Sequence, residues 1–303
     1  MMGKGDLLYR HLEPGDMLAL RKLFELTYIY EPVSSEIIHE KTFQDPFFDA
    51  SLTVIAVSGK QVVGFAMGVT RPDYKPEKGW LKLMAVHPEF QGQGIGKTLL
   101  GRIETAFQQR NLTVMSLFDT PYNYYTPGLD PRYTRALVFF QDRGFKRTGE
   151  TENLICSLDQ DFETAPDEAR LQEQGIEILP ATERHLAELN KWLETIWPAW
   201  IYEATAAWQQ NLLYLAIKDG SGVIGFGAGE GNNVGTGWFG PVGVDPQFRQ
   251  YKIGKVLSLK VLHDLKKRGF AMAIIPWVGP IPFYQRLCKA MVERVFWRFE
   301  KQL

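Results

Sequence analysis

The sequence has few of the features that mark specialised classes of protein. Its two cysteines, Cys156 and Cys288, exclude a disulfide scaffold and a zinc site of the usual kind. No apolar run approaches the roughly 20 residues that cross a membrane, and the N-terminus turns polar too early to predict a signal peptide. The formal net charge is −1, so no basic excess indicates nucleic-acid binding. We therefore expect a cytoplasmic protein with no membrane, nucleic-acid or metal partner.

The 303-residue chain has room for two domains, and three landmarks recur in the same order. A strand–turn–strand pattern at 53–68 returns at 213–229, and a glycine-containing turn before a helix at 87–100 returns at 245–258. The sequence FFQDRGF, which starts at Phe139, has the counterpart FYQRLCKA, which starts at Phe283. The spacing falls from 158 residues between the turns to 144 between the last pair. The first half thus carries a 14-residue surplus, which we place at 121–134 (PYNYYTPGLDPRYT) and call the surplus segment.

Each half predicts the same succession of strands and helices. A strand and two helices precede a hairpin. Two strand–helix pairs follow, and a closing strand ends each half. The predicted fold class is α+β, with two tandem domains that each have a mixed, largely antiparallel central sheet flanked by helices. We predict domains at 1–158 and 176–303, joined by a polar linker at 159–175. ENLICSL (152–158) is predicted to close the first sheet and VERVFWRFEK (292–301) the second.

The turn at 87–100, HPEFQGQGIGKTLL, can be compared with three phosphate-binding signatures. A Walker A loop requires glycine where Gln91 stands, and a dinucleotide loop requires glycine where Lys97 stands. The pattern Gln-x-x-Gly-x-Gly fits fully over 91–96. Such a turn lets backbone amides and the positive end of a helix face an anion. The stretch resembles the acyl-CoA-binding motif of the GNAT N-acetyltransferase superfamily, and the resemblance covers each half almost end to end.

The resemblance implies a tandem GNAT protein that moves an acetyl group from acetyl-CoA directly to a primary amine of a small molecule or peptide. It implies a cofactor site in the N-terminal domain that comprises Met84, Ala85, Val86, Gln91, Gly92, Gln93, Gly94, Ile95, Gly96, Lys97 and Thr98. In the second half a lysine replaces the middle glycine of the turn. A possible second cofactor site there comprises Val242, Val244, Arg249, Lys252, Gly254 and Lys255.

The resemblance also implies a backbone N–H donor to the oxyanion, from the strand around Met84 to Val86, and a tyrosine that protonates the leaving thiolate. Tyr284 stands at the tyrosine position of the second half, but Phe140 stands there in the first. The surplus segment offers Tyr124 and Tyr125 as substitutes, beside Tyr122 and Tyr133. No carboxylate on the strand before either turn supplies a general base. Asp119, His87 and Glu230 are more typical of solvated strand-end residues, and water can carry the proton instead.

Two alternatives stay open at this point. Catalysis can lie in the C-terminal domain through Tyr284, with the first half as a relic. The protein can also be a non-catalytic acyl-CoA-sensing or interaction module, which the phenylalanine at position 140 favours. The sequence favours no particular acceptor amine or oligomeric state.

Overall fold

The computed structural model describes residues 7–72 and 74–303. The chain divides into two compact units. Unit 1 comprises the chain up to Thr151 together with Phe296–Leu303, and unit 2 comprises Glu152–Val295. Each unit has its own helices and its own hydrophobic core.

Unit 1 is built around an antiparallel run of strands with one parallel addition. Its first strands are β1 (Leu7–Arg10), β2 (Thr53–Ser58), β3 (Gln61–Thr70), β4 (Lys78–Val86) and β5 (Val114–Leu117). Its helices are α1 (Met17–Thr27), α2 (Ser35–Lys41), α3 (Ile95–Gln108) and α4 (Thr134–Gln141). β1 to β4 pair antiparallel in sequence order, and β4 pairs parallel with β5. The next strand, β6 (Lys146–Ser157), begins in unit 1 and ends in unit 2.

After one additional helix, unit 2 repeats this order of elements. Its strands are β7 (Ile176–Pro180), β8 (Leu213–Lys218), β9 (Gly222–Gly229), β10 (Phe239–Val244) and β11 (Met272–Ile275). Its helices are α5 (Ala165–Gln172), α6 (Glu183–Ile196), α7 (Ile201–Gln209), α8 (Ile253–Lys267) and α9 (Ile281–Cys288). β7 to β10 pair antiparallel, and a parallel bridge joins Trp238 to Ile274 on β11. The predicted fold class, α+β with a mixed and largely antiparallel sheet in each half, is confirmed.

The strand that completes each sheet comes from the other half of the sequence. The last strand of the chain is β12 (Met291–Gln302), and its residues 300–302 pair antiparallel with β5 of unit 1. Residues 154–157 of β6 pair antiparallel with β11 of unit 2. The prediction that ENLICSL and VERVFWRFEK each close their own half was therefore wrong. Both are predicted correctly as strands, but period-two alternation does not specify the partner strand.

The predicted domain boundaries also differ from the division of the chain. The segment 159–175, predicted as a linker, lies within unit 2 and contains helix α5. Its Leu171 is fully buried, and Asp167 makes an ion pair of 2.6 Å with Lys255 of α8. One buried leucine on an otherwise charged helix is too weak a pattern to distinguish a packed helix from a solvated linker.

None of the helices within residues 7–72 and 74–303 is long and apolar enough to cross a membrane. The same residues contain no group of three or more His, Cys, Asp or Glu side chains arranged to hold a metal ion.

Candidate active site

The loop between β4 and α3 of unit 1 turns through two glycines with left-handed backbone. Gly92 has φ 76° and Gly94 has φ 86°. Residues other than glycine adopt such values only with strain, because their Cβ atom clashes with the backbone. A Cβ atom at either position would have no heavy atom within 4 Å, so the space in front of the loop is open. α3 begins directly afterwards, at Ile95.

The amides of residues 92–97 point to an anion site. Within the described part of the chain, no carbonyl or side chain accepts a hydrogen bond from these six N–H groups. The next amide, that of Thr98, donates to the carbonyl of Gly94 at 3.0 Å. Unpaired amides at the positive end of a helix bind phosphate and carboxylate groups. Lys97 adds a cation that makes no ion pair among the described residues. We call residues 91–97 the anion-binding loop.

A cavity of about 560 Å³ connects this loop with the end of β4, and we call it the loop cavity. Eight of the eleven predicted cofactor residues line it: Met84, Ala85, Val86, Gln91, Gly92, Gly94, Gly96 and Lys97. α4 supplies the opposite wall through Arg135, Phe139, Phe140 and Arg143.

The other three predicted cofactor side chains point elsewhere. Ile95 is fully buried in the unit 1 core. Gln93 donates to the carbonyl of Glu89 at 3.1 Å, and the Thr98 hydroxyl donates to the carbonyl of Gly94 at 3.3 Å. Ile95 therefore anchors the loop, and its contribution to anion binding is limited to its backbone amide.

β4 and β5 separate before the loop begins. Their parallel pairing ends at Leu81 and Leu117, and the amide of Phe118 makes the last bond, to the Leu81 carbonyl at 2.9 Å. Beyond this point the backbone of β4 faces the loop cavity on the side away from β3. Phe118 lines the cavity at the point of separation.

Tyr28 occupies part of the exposed edge of β4. Its hydroxyl accepts a bond from the Met84 amide and donates to the Met84 carbonyl, both at 3.1 Å. Val86, two residues further on, faces the same side because backbone groups alternate along a strand. Its carbonyl accepts from Gln91 at 3.0 Å. Of the three predicted oxyanion donors, the Met84 amide is thus already bonded, Ala85 faces β3, and Val86 presents its amide to the cavity.

A second cavity, of about 420 Å³, adjoins the loop cavity at Met84–Val86. We call it the adjoining cavity. Segments that flank the helices of unit 1 supply its polar lining of Tyr28, Glu31, Asp130, Arg132, Tyr133 and Arg135. The Tyr133 hydroxyl donates to the Glu31 carboxylate and accepts from the Tyr30 amide. Burial, and then the charge of Glu31, raise the pKa of Tyr133, so this phenol stays protonated.

The structure places Tyr124 and Tyr125 away from both cavities. The Tyr125 hydroxyl donates to the carbonyl of Pro32 at 2.5 Å, and its ring packs 5.3 Å from that of Tyr28. Tyr124 is buried. Their assignment as proton donors stays a prediction, but the tyrosine of the surplus segment that reaches a cavity is Tyr133. Counting hydroxyl groups in the sequence cannot distinguish tyrosines that pack from one that faces a cavity.

Glu31, one of the two carboxylates that line the adjoining cavity, is not among the candidate bases of the sequence analysis. Those candidates lie at or just beyond strand ends, whereas Glu31 lies in the turn between α1 and α2. The residues that were considered have structural partners. Asp119 makes an ion pair of 2.8 Å with Arg298, and burial raises its pKa. Glu230 accepts a bond of 2.7 Å from the Trp238 amide.

The corresponding turn of unit 2 has a different backbone. A 3-10 helix runs from Pro246 to Tyr251, and Lys252 follows with φ 59°. The amide of Lys255 donates to the carbonyl of Lys252 at 3.1 Å. Among the described residues, only the amides of 253 and 254 then stay unpaired at the start of α8, against six in unit 1. This turn offers an anion fewer donors than the anion-binding loop does.

Unit 2 nevertheless has a cavity of about 1010 Å³ at this turn. All six predicted residues of the possible second site line it: Val242, Val244, Arg249, Lys252, Gly254 and Lys255. Tyr284 lines it too, and burial raises the pKa of this phenol. The ring of Trp197 packs against Gly243 of β10, where an added Cβ would lie 2.7 Å from the ring. An indole thus packs on the face of β10 close to the turn.

Solved structures share this architecture over nearly the whole chain. The glucosamine N-acetyltransferase region of a fungal multi-domain GH3 beta-N-acetylglucosaminidase matches with TM-score 0.79 and 20% identity over 99% of this chain and 38% of that chain. This chain therefore spans about two fifths of that protein. A GCN5-related N-acetyltransferase from Sphaerobacter thermophilus matches with TM-score 0.71 and 18% identity, over 98% of this chain and 95% of that one. At such identities the likeness shows the fold alone.

The third comparison concerns the tandem arrangement. A tandem GNAT protein from the clavulanic acid biosynthesis pathway matches with TM-score 0.70 and 13% identity, over 98% of both chains. The model of the acetyltransferase (GNAT) family matches residues 18–126, in unit 1, and 182–288, in unit 2. The prediction of a tandem GNAT protein is confirmed, and the chain belongs to the GNAT acetyltransferase family.

Proposed function

We propose that the protein is an acetyl-CoA-dependent N-acetyltransferase that acetylates a primary amine, and that unit 1 carries the transfer. The observation that supports this most strongly is the continuity of two cavities along Met84–Val86. One is lined by Gly92, Gly94, Gly96 and Lys97 of the anion-binding loop, and the other is lined by Glu31. An anionic donor and an amine acceptor can therefore meet at the edge of β4.

The residues of the loop cavity fit acetyl-CoA. The amides of 92–97 and Lys97 would hold the pyrophosphate, and Phe139 and Phe140 supply an apolar wall beside β4. When bound, acetyl-CoA supplies an acetyl group activated as a thioester. The Val86 amide would donate a hydrogen bond to the carbonyl oxygen of that group and stabilise negative charge there.

Glu31 is the proposed general base. An alkylamine with a pKa near ~10 is mostly protonated at neutral pH and must lose a proton before it attacks. The Glu31 carboxylate lies in the adjoining cavity, where the Tyr133 hydroxyl orients it by donating to Oε2. Phe140 has no proton to give to a leaving thiolate. Once Glu31 has taken the amine proton, the Tyr133 hydroxyl can pass its own proton to the thiolate and take up the proton from Glu31, so we assign Tyr133 as the candidate donor in unit 1.

Replacement of Glu31 by glutamine tests this assignment. The amide oxygen of glutamine can still accept from Tyr133, so the geometry is retained while the base is lost. We expect kcat to fall by roughly a hundredfold or more, with an unchanged Kd for acetyl-CoA. Glu25→Gln is the control, because Glu25 is exposed on α1 and pairs with Arg21. Equal kcat values for the two variants would refute the role of Glu31.

Transfer in unit 2 is the alternative that a specific observation favours. Tyr284 lines the unit 2 cavity, and its hydroxyl makes no hydrogen bond within the described residues. The two unpaired amides and the indole of Trp197 against Gly243 argue for a weaker acyl-CoA site there.

The other alternative, a non-catalytic acyl-CoA-sensing module, would bind acetyl-CoA and acetylate no amine in a broad panel.

A further inference from the structure

We propose that the acceptor is an α-amino acid with an apolar side chain, and that its carboxylate pairs with Arg135. The inference rests on the proposed function, because it takes the adjoining cavity as the acceptor site. It starts from the position of Arg135, the second residue of α4. Among the described residues, Arg135 is the only charged side chain that lines both the loop cavity and the adjoining cavity. A guanidinium group therefore stands where the acetyl donor and the acceptor amine would meet.

Two hydrogen bonds hold this guanidinium beside the end of β4. Arg135 donates to Oε1 of Gln91 at 2.6 Å, and Nε2 of Gln91 donates to the Val86 carbonyl at 3.0 Å. The Val86 amide is the proposed donor to the acetyl carbonyl oxygen. An α-amino acid carries its carboxylate on the carbon next to the amine, so that carboxylate must lie close to the reacting centre. Arg135 is held where it can bind such a group.

The charge of Arg135 is not neutralised by the protein within its own cavity wall. Within the described part of the chain Arg135 makes no ion pair, and its bond to Gln91 uses one of the five N–H groups of a guanidinium. No described aspartate or glutamate lines the loop cavity. A planar guanidinium with N–H groups to spare binds a carboxylate through two parallel hydrogen bonds. Arg135 is therefore suited to the carboxylate of a ligand.

The two carboxylates of the adjoining cavity act on its other arginine, Arg132. Asp130 accepts hydrogen bonds from Arg132 at 2.6 and 3.0 Å. These bonds first, and then the negative charges of Asp130 and Glu31, raise the pKa of Arg132. Neither carboxylate forms an ion pair with Arg135 in the part of the chain that the structure describes. The cation that an acceptor's carboxylate would meet in this cavity is thus Arg135.

Apolar side chains supply much of the remaining lining. Leu26 and Ile29 line the adjoining cavity with 49% and 65% of their surface exposed, and they belong to none of the core clusters of unit 1. Phe118 and Leu129 line the same cavity and are almost fully buried. Covering such groups with an apolar ligand is favourable, and about 420 Å³ is in the range of small-molecule sites. We therefore expect the side chain of the amino acid to be apolar.

Three ligands with the same phenyl group test the carboxylate: L-phenylalanine, L-phenylalaninamide and 2-phenylethylamine. We expect kcat/KM for L-phenylalanine to exceed that for either of the others about tenfold or more. The neutral amide lowers the pKa of its amine relative to that of the free acid, so amine reactivity alone would favour the amide. Equal or lower kcat/KM for L-phenylalanine would overturn the inference and leave the proposed transferase intact. A preference for L-serine over L-phenylalanine would overturn the apolar side chain.

Replacement of Arg135 by glutamine tests the residue itself. Glutamine keeps an N–H donor for Gln91 and removes the charge. We expect kcat/KM for L-phenylalanine to fall about tenfold, mainly through KM, and that for L-phenylalaninamide to stay within about twofold. Arg102→Gln is the control, because Arg102 is exposed on α3, lies over the ring of Tyr9 and lines neither of the two cavities. Equal losses for the acid and the amide, or a raised Kd for acetyl-CoA with the preference for the acid retained, would overturn the inference.

Direct binding separates this inference from the proposed function. Calorimetry with L-phenylalanine, in the presence of CoA, measures occupation of the cavity without any transfer. Binding that Arg135→Gln weakens and Arg102→Gln does not would support the acceptor class even if no amine were acetylated, and the transferase proposal would then fail alone. Absence of binding to the wild-type protein, or equal affinity in Arg135→Gln, would overturn the acceptor class whatever the activity.

Discussion

Replacing Gly94 by glutamate is expected to abolish acetyl-CoA binding in unit 1, with Kd raised at least a hundredfold. Two effects act together. The left-handed backbone at position 94, with φ 86°, is strained for any residue other than glycine. The new carboxylate would also stand before the amides of 92–97, where the proposed pyrophosphate binds, and like charges repel at this distance. Isothermal titration calorimetry with acetyl-CoA measures the loss.

Two further glycines provide controls for Gly94→Glu. Gly59 lies in the β2–β3 turn with φ 60° and open space around its Cβ position, so Gly59→Glu reproduces the strain and the charge outside the loop. Gly254→Glu places the carboxylate at the start of α8 in unit 2. We expect Gly59→Glu to bind as the wild type does. Retained binding in Gly94→Glu, with loss in Gly254→Glu, would move the cofactor site to unit 2.

Replacing Asp45 by asparagine is expected to destabilise the protein by about 3–5 kcal/mol. Asp45 follows α2 and accepts from Arg71 at 2.9 and 3.2 Å and from Lys82 at 2.5 Å. All three side chains are fully buried. Asparagine would leave the guanidinium of Arg71 buried without its counter-charge, and arginine cannot escape by deprotonation. The free energy of unfolding in urea measures the effect.

The pH dependence of this loss follows from the pKa of Asp45. Burial alone would raise it, but the charges of Lys82 and Arg71 and their hydrogen bonds outweigh burial and lower the pKa to about 2. The stabilisation is therefore fully present above the ordinary value of 3.8 and is lost as the pH falls through about 2.

Asp49→Asn is the control, because Asp49 pairs with Arg110 at the surface and should contribute less than about 1 kcal/mol. Equal losses in the two variants would contradict this account.

The anion-binding loop could be predicted because its sequence dictates its backbone. Glycines spaced at positions 92, 94 and 96 before an amphipathic stripe specify a turn into a helix, and the structure shows positive φ at the first two. The predicted helix begins at Ile95 as expected. The conformational preferences of residues within the loop determine this backbone geometry, so it can be inferred from a single sequence.

The features that sequence analysis missed depend on distant parts of the chain. The exchange of closing strands depends on tertiary packing. Phe299 of β12 packs in the unit 1 core and Leu154 of β6 packs in the unit 2 core. Glu31 and Tyr133 are 102 positions apart, and no motif connects them before the chain folds. Their hydrogen bond is a product of tertiary structure, as is the burial of Asp45 between two cations.

The measurement that tests the central claim most directly is the rate of amine acetylation in Gly94→Glu and Tyr284→Phe, compared with the wild type. Tyr284→Phe removes the hydroxyl of a residue that lines the unit 2 cavity and keeps the ring that packs on Phe239 and Phe283. If unit 1 carries the transfer, Gly94→Glu loses activity and Tyr284→Phe retains it within about twofold. Loss of activity in Tyr284→Phe, with activity retained in Gly94→Glu, would contradict the account and assign the chemistry to unit 2.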